Sequence, residues 1–366
     1  MNKSIIILHD VDGRIYFDGI KKLHNDGSLE EIKYYESIIF KRLIKSILYR
    51  NLTLQKVKAF WKNFLFRLQV PFIKNETILL GMAPYNIRFL WYGLLARKNR
   101  VIYHTSWPYW WGDNVPCKIP FLNNFLKKAF IYYLNNYNFY CCGISKASIE
   151  SLGQKIEHKE RLFNIPHAID LSIFKKRDNK KDDLGKIKVV FVGRIVKEKG
   201  IYDLVTLAKK TSEICEFTFI GDGELLGYLQ NETKNIKNVN VLGRVNDKNK
   251  IAQIISDSDI FILPSRQKKG WEELFGISII EAMASGSIVV STKHVGPREI
   301  ISNNINGFLF NDDEKLSDNL HSFLLNLDIH SEKMSSLREK AIIRANDYSV
   351  ESVSLMWKEL LDKVNR

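Results

Sequence analysis

The chain has 366 residues and a formal net charge of +14. The length suits two domains of about 150–180 residues each. The charge favours anionic partners, such as nucleotide phosphates, nucleic acid or an anionic membrane face, and says nothing about fold. Cys117, Cys141, Cys142 and Cys215 form no CxxC pair, which argues against a zinc site or a disulfide framework and for reduced thiols in the cytoplasm.

The N-terminal run "SIIILHD" is too short for a signal peptide and suits a strand buried on both faces. No apolar segment reaches the ~18 residues of a spanning helix, so a soluble or peripherally attached protein is expected. "LEEIKYYESI" reads as a second strand. Residues 38–68 read as helical, with Leu43, Ile44, Ile47 and Leu48 on one face and Phe60, Phe64, Leu65 and Leu68 on another. Lys41, Arg42, Lys45, Lys56, Lys58, Lys62 and Arg67 fill much of the remainder. Such a segment either buries its apolar face in the first domain or lays it on an anionic membrane with its cations among the head groups. "TILLGMA", "RVIYHTS" and "FYCCGIS" read as further buried strands, with helices near residues 88–97 and 121–134.

Residues 175–188 are charged and nearly free of apolar side chains, as a linker would be. A second alternation follows. "KVVFVGRI", "EFTFIGDG", "NVNVLGRV", "DIFILPS" and "SIVVST" read as strands, each followed by a helix, and helices complete the chain from about residue 314. Two such runs imply an α/β protein with two doubly wound parallel sheets, whose ligands bind beyond the carboxyl ends of the strands. The expected division is 1–174, 175–345 and a final helix, 346–366, packing back on the first domain.

In "FVGRIVKEKG", Gly193 and Arg194 end a strand and Lys199 precedes a helix, a setting that suits phosphate or an exposed basic loop. Gly221 and Gly223 in "FIGDGEL" fit a tight turn. "VLGRV" puts Gly243, Arg244 and Val245 where a base could lie. In "EELFGISIIEAMASG", Glu273 precedes a helix and Glu281 lies inside it. Eight helical residues rise ~12 Å, too far for one shared proton or metal and suited to two contacts on an extended ligand. An unpaired Glu281 among Ile279, Ile280, Ala282 and Met283 would be costly. Asp10 and Asp12, and Asp257 and Asp259, have the DxD form; neither pair is assigned a metal.

These motifs together resemble the retaining glycosyltransferases of the GT-B fold, family 4. "GRIVKEKG", "ILPS" and "EELFGISIIEAMASG" carry the likeness, with "GISKASIESL" and "NIPHAIDLSIF" before them. The second half matches throughout and the first half in layout. Leu274 stands where proline is common, and His167-Ala168 where Asn-Gly is usual. The resemblance implies two Rossmann-like domains facing across a cleft. It implies that Arg194 and Lys199 hold a donor diphosphate beside Gly193 and Arg244, and that Glu281 binds the ribose. Glu273 would face the transferred sugar, beside the amides of Phe275, Gly276 and Ile277. His104 would match the family's cleft histidine, or be a core histidine at a strand end. Gly13 or Gly19 would serve the first-strand loop. Trp107, Tyr109, Trp110 and Trp111 would contact the acceptor or pack under a loop.

The expected activity is retaining transfer from a UDP- or GDP-sugar to a glycan acceptor, lipid-linked, without a metal or other cofactor. The setting would be bacterial surface polysaccharide synthesis on the inner face of the cell membrane. The alternatives are a sugar phosphorylase, or a basic nucleotide-binding protein without transferase chemistry. No RNP-like aromatic strand or DNA-reading module favours a nucleic-acid partner.

Overall fold

The computed structural model describes residues 4–111, 120–177 and 185–365. It divides into two units, Met1–Ala168 with Val350–Arg366, and Ile169–Ser349. The expected linker falls partly on residues 178–184, outside the described residues.

The first unit holds strands β1 (Ser4–His9), β2 (Glu31–Glu36), β3 (Thr77–Gly81), β4 (Arg100–Thr105), β5 (Phe139–Gly143) and β6 (Leu162–Asn164). They form one parallel sheet in the order β2-β1-β3-β4-β5-β6. Its inner strands β1, β3, β4 and β5 are buried and largely apolar because both faces are covered, while the edge strands β2 and β6 are only partly buried. Alternate residues go to opposite layers. Ile6, Leu8, Ile78, Leu80, Val101 and Tyr103 pack with Phe89, Trp110 and Phe130. Ile5, Ile7, Leu79 and Ile102 pack with Phe17, Trp357 and Leu360. Trp357 and Leu360 come from the last helix, Val350–Asn365, which lies against helix Asp18–Asn25.

Two helical readings need correction. Residues 38–68 are two helices, Ile39–Leu48 and Leu54–Gln69. Arg50 takes a left-handed φ of 50° between them, and Thr53 caps the second by accepting the Lys56 N–H at 3.4 Å. Apolar spacing runs across this break, so periodicity alone hides it. The helix near residues 88–97 is one turn, Phe89–Tyr92, followed by the 3₁₀ segment Gly93–Arg97.

The second unit holds β7 (Ile187–Val192), β8 (Cys215–Ile220), β9 (Val239–Gly243), β10 (Ile260–Leu263), β11 (Ile288–Thr292) and β12 (Phe308–Phe310). Their order is β12-β11-β10-β7-β8-β9, again parallel. Three-residue β12 was not foreseen, because so short an apolar run carries no periodic signal. In each sheet the strand order reverses once, between β1 and β3 and between β7 and β10. Those reversal points open crevices at the carboxyl ends, where doubly wound sheets bind ligands.

Candidate functional site

In the second unit, the turn after β7 and the segment after β10 meet at the reversal point. Gly200 has φ +72°, and a Cβ there would lie 2.1 Å from the Pro264 carbonyl oxygen. A glycine therefore lets the two segments touch. The 3₁₀ turn Lys197–Lys199 precedes it. The Lys199 ammonium meets the Glu273 carboxylate, the two side chains being 13% and 12% exposed. Ser265 Oγ donates to the same carboxylate at 3.3 Å, and the Trp271 ring centroid is 5.6 Å from Lys199 Nζ.

The backbone of Glu273 is held on both sides. Its N–H donates to His294 Nδ1 at 3.1 Å, and its carbonyl accepts from Gly296 N–H at 2.9 Å. Because Nδ1 accepts, the neutral imidazole carries its proton on Nε2, which donates to the Ser265 carbonyl at 2.9 Å. Glu272 accepts the Val295 N–H at 3.0 Å. A Cβ on Gly296 would come within 2.3 Å of Phe275 N, so these two loops are in direct backbone contact. Phe275 is buried, Gly276 takes φ +97° as N-cap, and Ile277 begins helix Ile277–Ala284. Glu281 lies in that helix, half-buried. Burial pushes its carboxyl up to about 7, with Lys248 acting in the opposite sense.

Gly193, Arg194 and Arg244 share a pocket of about 480 Å³ with Gly221, Asp222 and Gly223. A Cβ on Gly221 would lie 1.8 Å from the Gly193 carbonyl oxygen, so this wall needs bare backbone. Both arginines are exposed; Arg244 Nε donates to Asn246 Oδ1 at 3.0 Å. Lys199, Glu273 and Glu281 are not among the residues lining this pocket.

The first unit has a pocket of about 330 Å³ at the ends of β1, β3 and β4, lined by His9, His104, Trp107 and His167 among others. Phe17 meets the His104 ring edge-on, with centroids 4.9 Å apart. Burial, with His167 and His9 nearby, holds the His104 imidazole well below its ordinary pKa. His167 is pushed down to about 4 by burial, against a hydrogen bond with the Tyr16 backbone. His9 is lowered by burial, partly offset by Asp10.

The aromatic run after His104 divides. Trp107 lines the pocket and donates from Nε1 to the Tyr109 carbonyl at 2.6 Å. Trp110 is fully buried against Tyr85 and Phe130, so its ring is core and not a surface for an acceptor. Trp111 donates to the Ser151 carbonyl at 2.7 Å. Gly13 is buried against Ile7 and does not line this pocket; Gly19 packs on Trp357, where a Cβ would meet Cδ1 at 2.9 Å. Asp10 pairs with Arg88 at 3.0 Å and Asp12 with Arg14 at 2.8 Å. Asp259 accepts the Lys188 N–H at 2.9 Å, and Asp257 ends a helix. Among the described residues, no group of three or more His, Cys, Asp or Glu is arranged to hold a metal ion.

Sequence reasoning missed His9, Ser265 and His294. His9 closes β1, as His104 stands one residue before the end of β4, and Ser265 and His294 follow the ends of β10 and β11. The position rule for doubly wound sheets was the available signal.

Residues 172–344 match the family model for glycosyl transferases group 1. An uncharacterized 41.2 kDa protein in the cps region of Klebsiella pneumoniae is 29% identical over 219 residues, covering 57% of this chain and 55% of that protein. An Escherichia coli UDP-Gal:alpha-D-GlcNAc-diphosphoundecaprenol alpha-1,3-galactosyltransferase is 32% identical over 162 residues, 40% of each chain. The chain thus spans about half or less of the length of these curated relatives. An Anabaena protein solved in complex with UDP-glucose superposes with a TM-score of 0.68 at 17% identity, covering 98% of this chain and 99% of that one. At that identity the likeness concerns the fold.

Proposed function

From the premise that residues 172–344 belong to the group 1 glycosyltransferases, within a chain of GT-B fold, we propose that the protein transfers a sugar from a nucleotide-sugar donor to a glycan acceptor. The donor is a UDP- or GDP-sugar, the acceptor is lipid-linked, and the anomeric configuration is retained. The pathway is bacterial surface polysaccharide synthesis. The donor binds the second unit and the acceptor the first. The observation that carries this reading is the mostly buried Lys199–Glu273 pair at the β7/β10 reversal, on the same carboxyl edge as the Arg194–Arg244 pocket.

The work assigned to these residues is placement and charge stabilisation. Arg194 and Lys199 neutralise the departing diphosphate. The amides of Phe275, Gly276 and Ile277, at a helix start, add donors to it. Glu281 accepts hydrogen bonds from the ribose, Glu273 orients the transferred sugar, and neutral His104 hydrogen-bonds it. Bond breaking at the sugar C1 leaves the electron pair on the diphosphate. The acceptor hydroxyl attacks C1, and its proton passes to that diphosphate. This reading takes no metal, and the pairing of Asp10 with Arg88 and of Asp12 with Arg14 is in keeping with it.

The membrane reading of residues 41–68 is supported by burial. Helix Ile39–Leu48 buries only Ile39, and helix Leu54–Gln69 only Asn63 and Phe66. Leu48 and Leu54 are 75% and 71% exposed, with Ile44, Ile47, Trp61, Leu65 and Leu68 also in the open. Lys41, Arg42, Lys45, Lys58 and Lys62 are exposed beside them. Apolar side chains with interspersed cations suit the interface of an anionic leaflet. No helix among the described residues is long and apolar enough to cross a membrane, and peripheral attachment to the cytoplasmic face completes the proposal.

A thermal-shift screen against UDP-, GDP- and ADP-sugars tests the assignment. One class should raise Tm in the wild type, and by much less in Arg194→Ala and Lys199→Ala. A protein that none of them stabilises would overturn it.

A further inference from the structure

We propose that His294 is a positioning residue that fixes Glu273 for its contact with the transferred sugar. The proposal rests on the role given to Glu273 above and adds a residue that no motif of the sequence carries. His294 follows β11 and is 3% exposed. Its ring ties the segment after β11 to two points on the segment after β10. Nδ1 accepts the Glu273 N–H at 3.1 Å, and Nε2–H donates to the Ser265 carbonyl at 2.9 Å. Ser265 in turn donates from Oγ to the Glu273 carboxylate at 3.3 Å. The imidazole thus closes a ring of contacts: Glu273 amide, His294, Ser265, Glu273 carboxylate. The next turn adds the Gly296 N–H to the Glu273 carbonyl.

This arrangement leaves Glu273 little freedom of its own. Its N–H and C=O are both taken by residues 294–296, and its carboxylate by Lys199 and Ser265. The preceding Trp271 ring stands 6.4 Å from the imidazole, and Glu272 binds the Val295 N–H. A residue in a loop holds an exact orientation only when its supports are packed and hydrogen-bonded. The His294 ring accepts from the Glu273 backbone at one nitrogen and donates at the other, and the neutral imidazole supplies these opposite roles.

Two variants separate positioning from bulk packing. His294→Leu keeps the volume and removes both nitrogens. His294→Asn keeps an acceptor at the place of Nδ1. The first measurement needs no ligand: hydrogen–deuterium exchange of the full chain. In His294→Leu the Glu273 amide should exchange about tenfold faster or more, the loss of one hydrogen bond, with helix Ile277–Ala284 unchanged. His294→Asn should stay near the wild type. The second measurement uses UDP, GDP and their glucose and mannose conjugates as probes. His294→Leu should lower donor hydrolysis about tenfold without weakening affinity for the nucleoside diphosphate, because the support acts on Glu273 and not on Arg194 or Lys199. His294→Asn should recover most of that hydrolysis. Unchanged exchange at Glu273 in a folded His294→Leu protein overturns the proposal. So does a parallel loss of diphosphate affinity, which marks general collapse of the site. If the wild type binds no nucleotide, the donor-site reading fails, and the exchange result still decides whether His294 holds Glu273.

Discussion

Lys199 and Glu273 are paired directly, ammonium to carboxylate, at a point nearly withdrawn from solvent. In the proposed reaction the same ammonium must serve a diphosphate. That reading puts the Glu273 carboxylate where a phosphate would compete with it, so that donor binding would exchange one anion for another.

Glu273→Gln tests that exchange. The amide keeps the side chain's shape but gives up the charge, leaving a mostly buried ammonium short of a counter-ion. Nucleoside diphosphate should bind about three- to tenfold tighter by calorimetry, a difference of ~1 kcal/mol. Turnover should fall, because the contact to the sugar is weakened. Weaker diphosphate binding would show that the pair is not in competition with the donor. Lys199→Ala has the opposite expectation, losing ~1–3 kcal/mol of diphosphate binding.

Glu281 gives a pH signature. Its carboxyl is raised by burial from 4.5 to about 7. The folded state therefore holds a proton that the unfolded chain releases at lower pH. Stability from this group is greatest below about pH 4.5 and falls as pH rises toward 7, by about 1–3 kcal/mol. Glu281→Gln should flatten that slope in denaturant titrations at pH 5 and 8. Nucleotide affinity should run the other way, rising from pH 6 to 8, since the ionised carboxylate is the better acceptor for ribose hydroxyls. An affinity independent of pH in this range, with Glu281→Ala binding like wild type, would remove Glu281 from the donor site.

The sequence made the strand ends legible and left the contacts between them hidden. Gly193 and Lys199 could be read because a glycine or a cation at a strand-to-helix turn has a local meaning. The Lys199–Glu273 pair could not, since the partners are 74 residues apart. Trp110 was ambiguous for the same reason: its burial is decided by Phe130, on a separate helix. Residues 38–68 show the limit of periodicity. The apolar positions repeat as in a buried helix, yet most of them face solvent. Periodicity marks a face; it does not say what covers the face.

His104 should act as a neutral group. Burial and its histidine neighbours keep its pKa well below the usual range. His104→Gln should lower turnover about tenfold or more while leaving diphosphate affinity intact, as loss of a contact near the reacting sugar does. The shape of the pH–rate profile between pH 6 and 8 should stay the same. A profile whose acid limb vanishes in His104→Gln would contradict a neutral role.

The exposed hairpin should bind anionic vesicles and release them in salt. Each cation near an anionic surface contributes about 1 kcal/mol, screened within a Debye length. Replacing Lys41, Arg42, Lys45, Lys58 and Lys62 by glutamine should abolish sedimentation with phosphatidylglycerol vesicles and leave donor hydrolysis unchanged. Equal binding by wild type and the glutamine variant would move the membrane surface elsewhere.

Retaining sugar transfer from a nucleotide donor is open to a direct test by proton NMR of donor hydrolysis. Purified protein is mixed with the nucleotide sugar that stabilises it, without acceptor, and the freed sugar is followed from the first minutes. Water then takes the acceptor's place: the bond from C1 to the diphosphate breaks and one from C1 to water oxygen forms. Retaining transfer gives slow release of nucleoside diphosphate together with a sugar of the donor's own anomeric configuration, before mutarotation, unaffected by EDTA. Release of the opposite anomer would contradict retention, and no release from any nucleotide sugar would contradict the transferase itself.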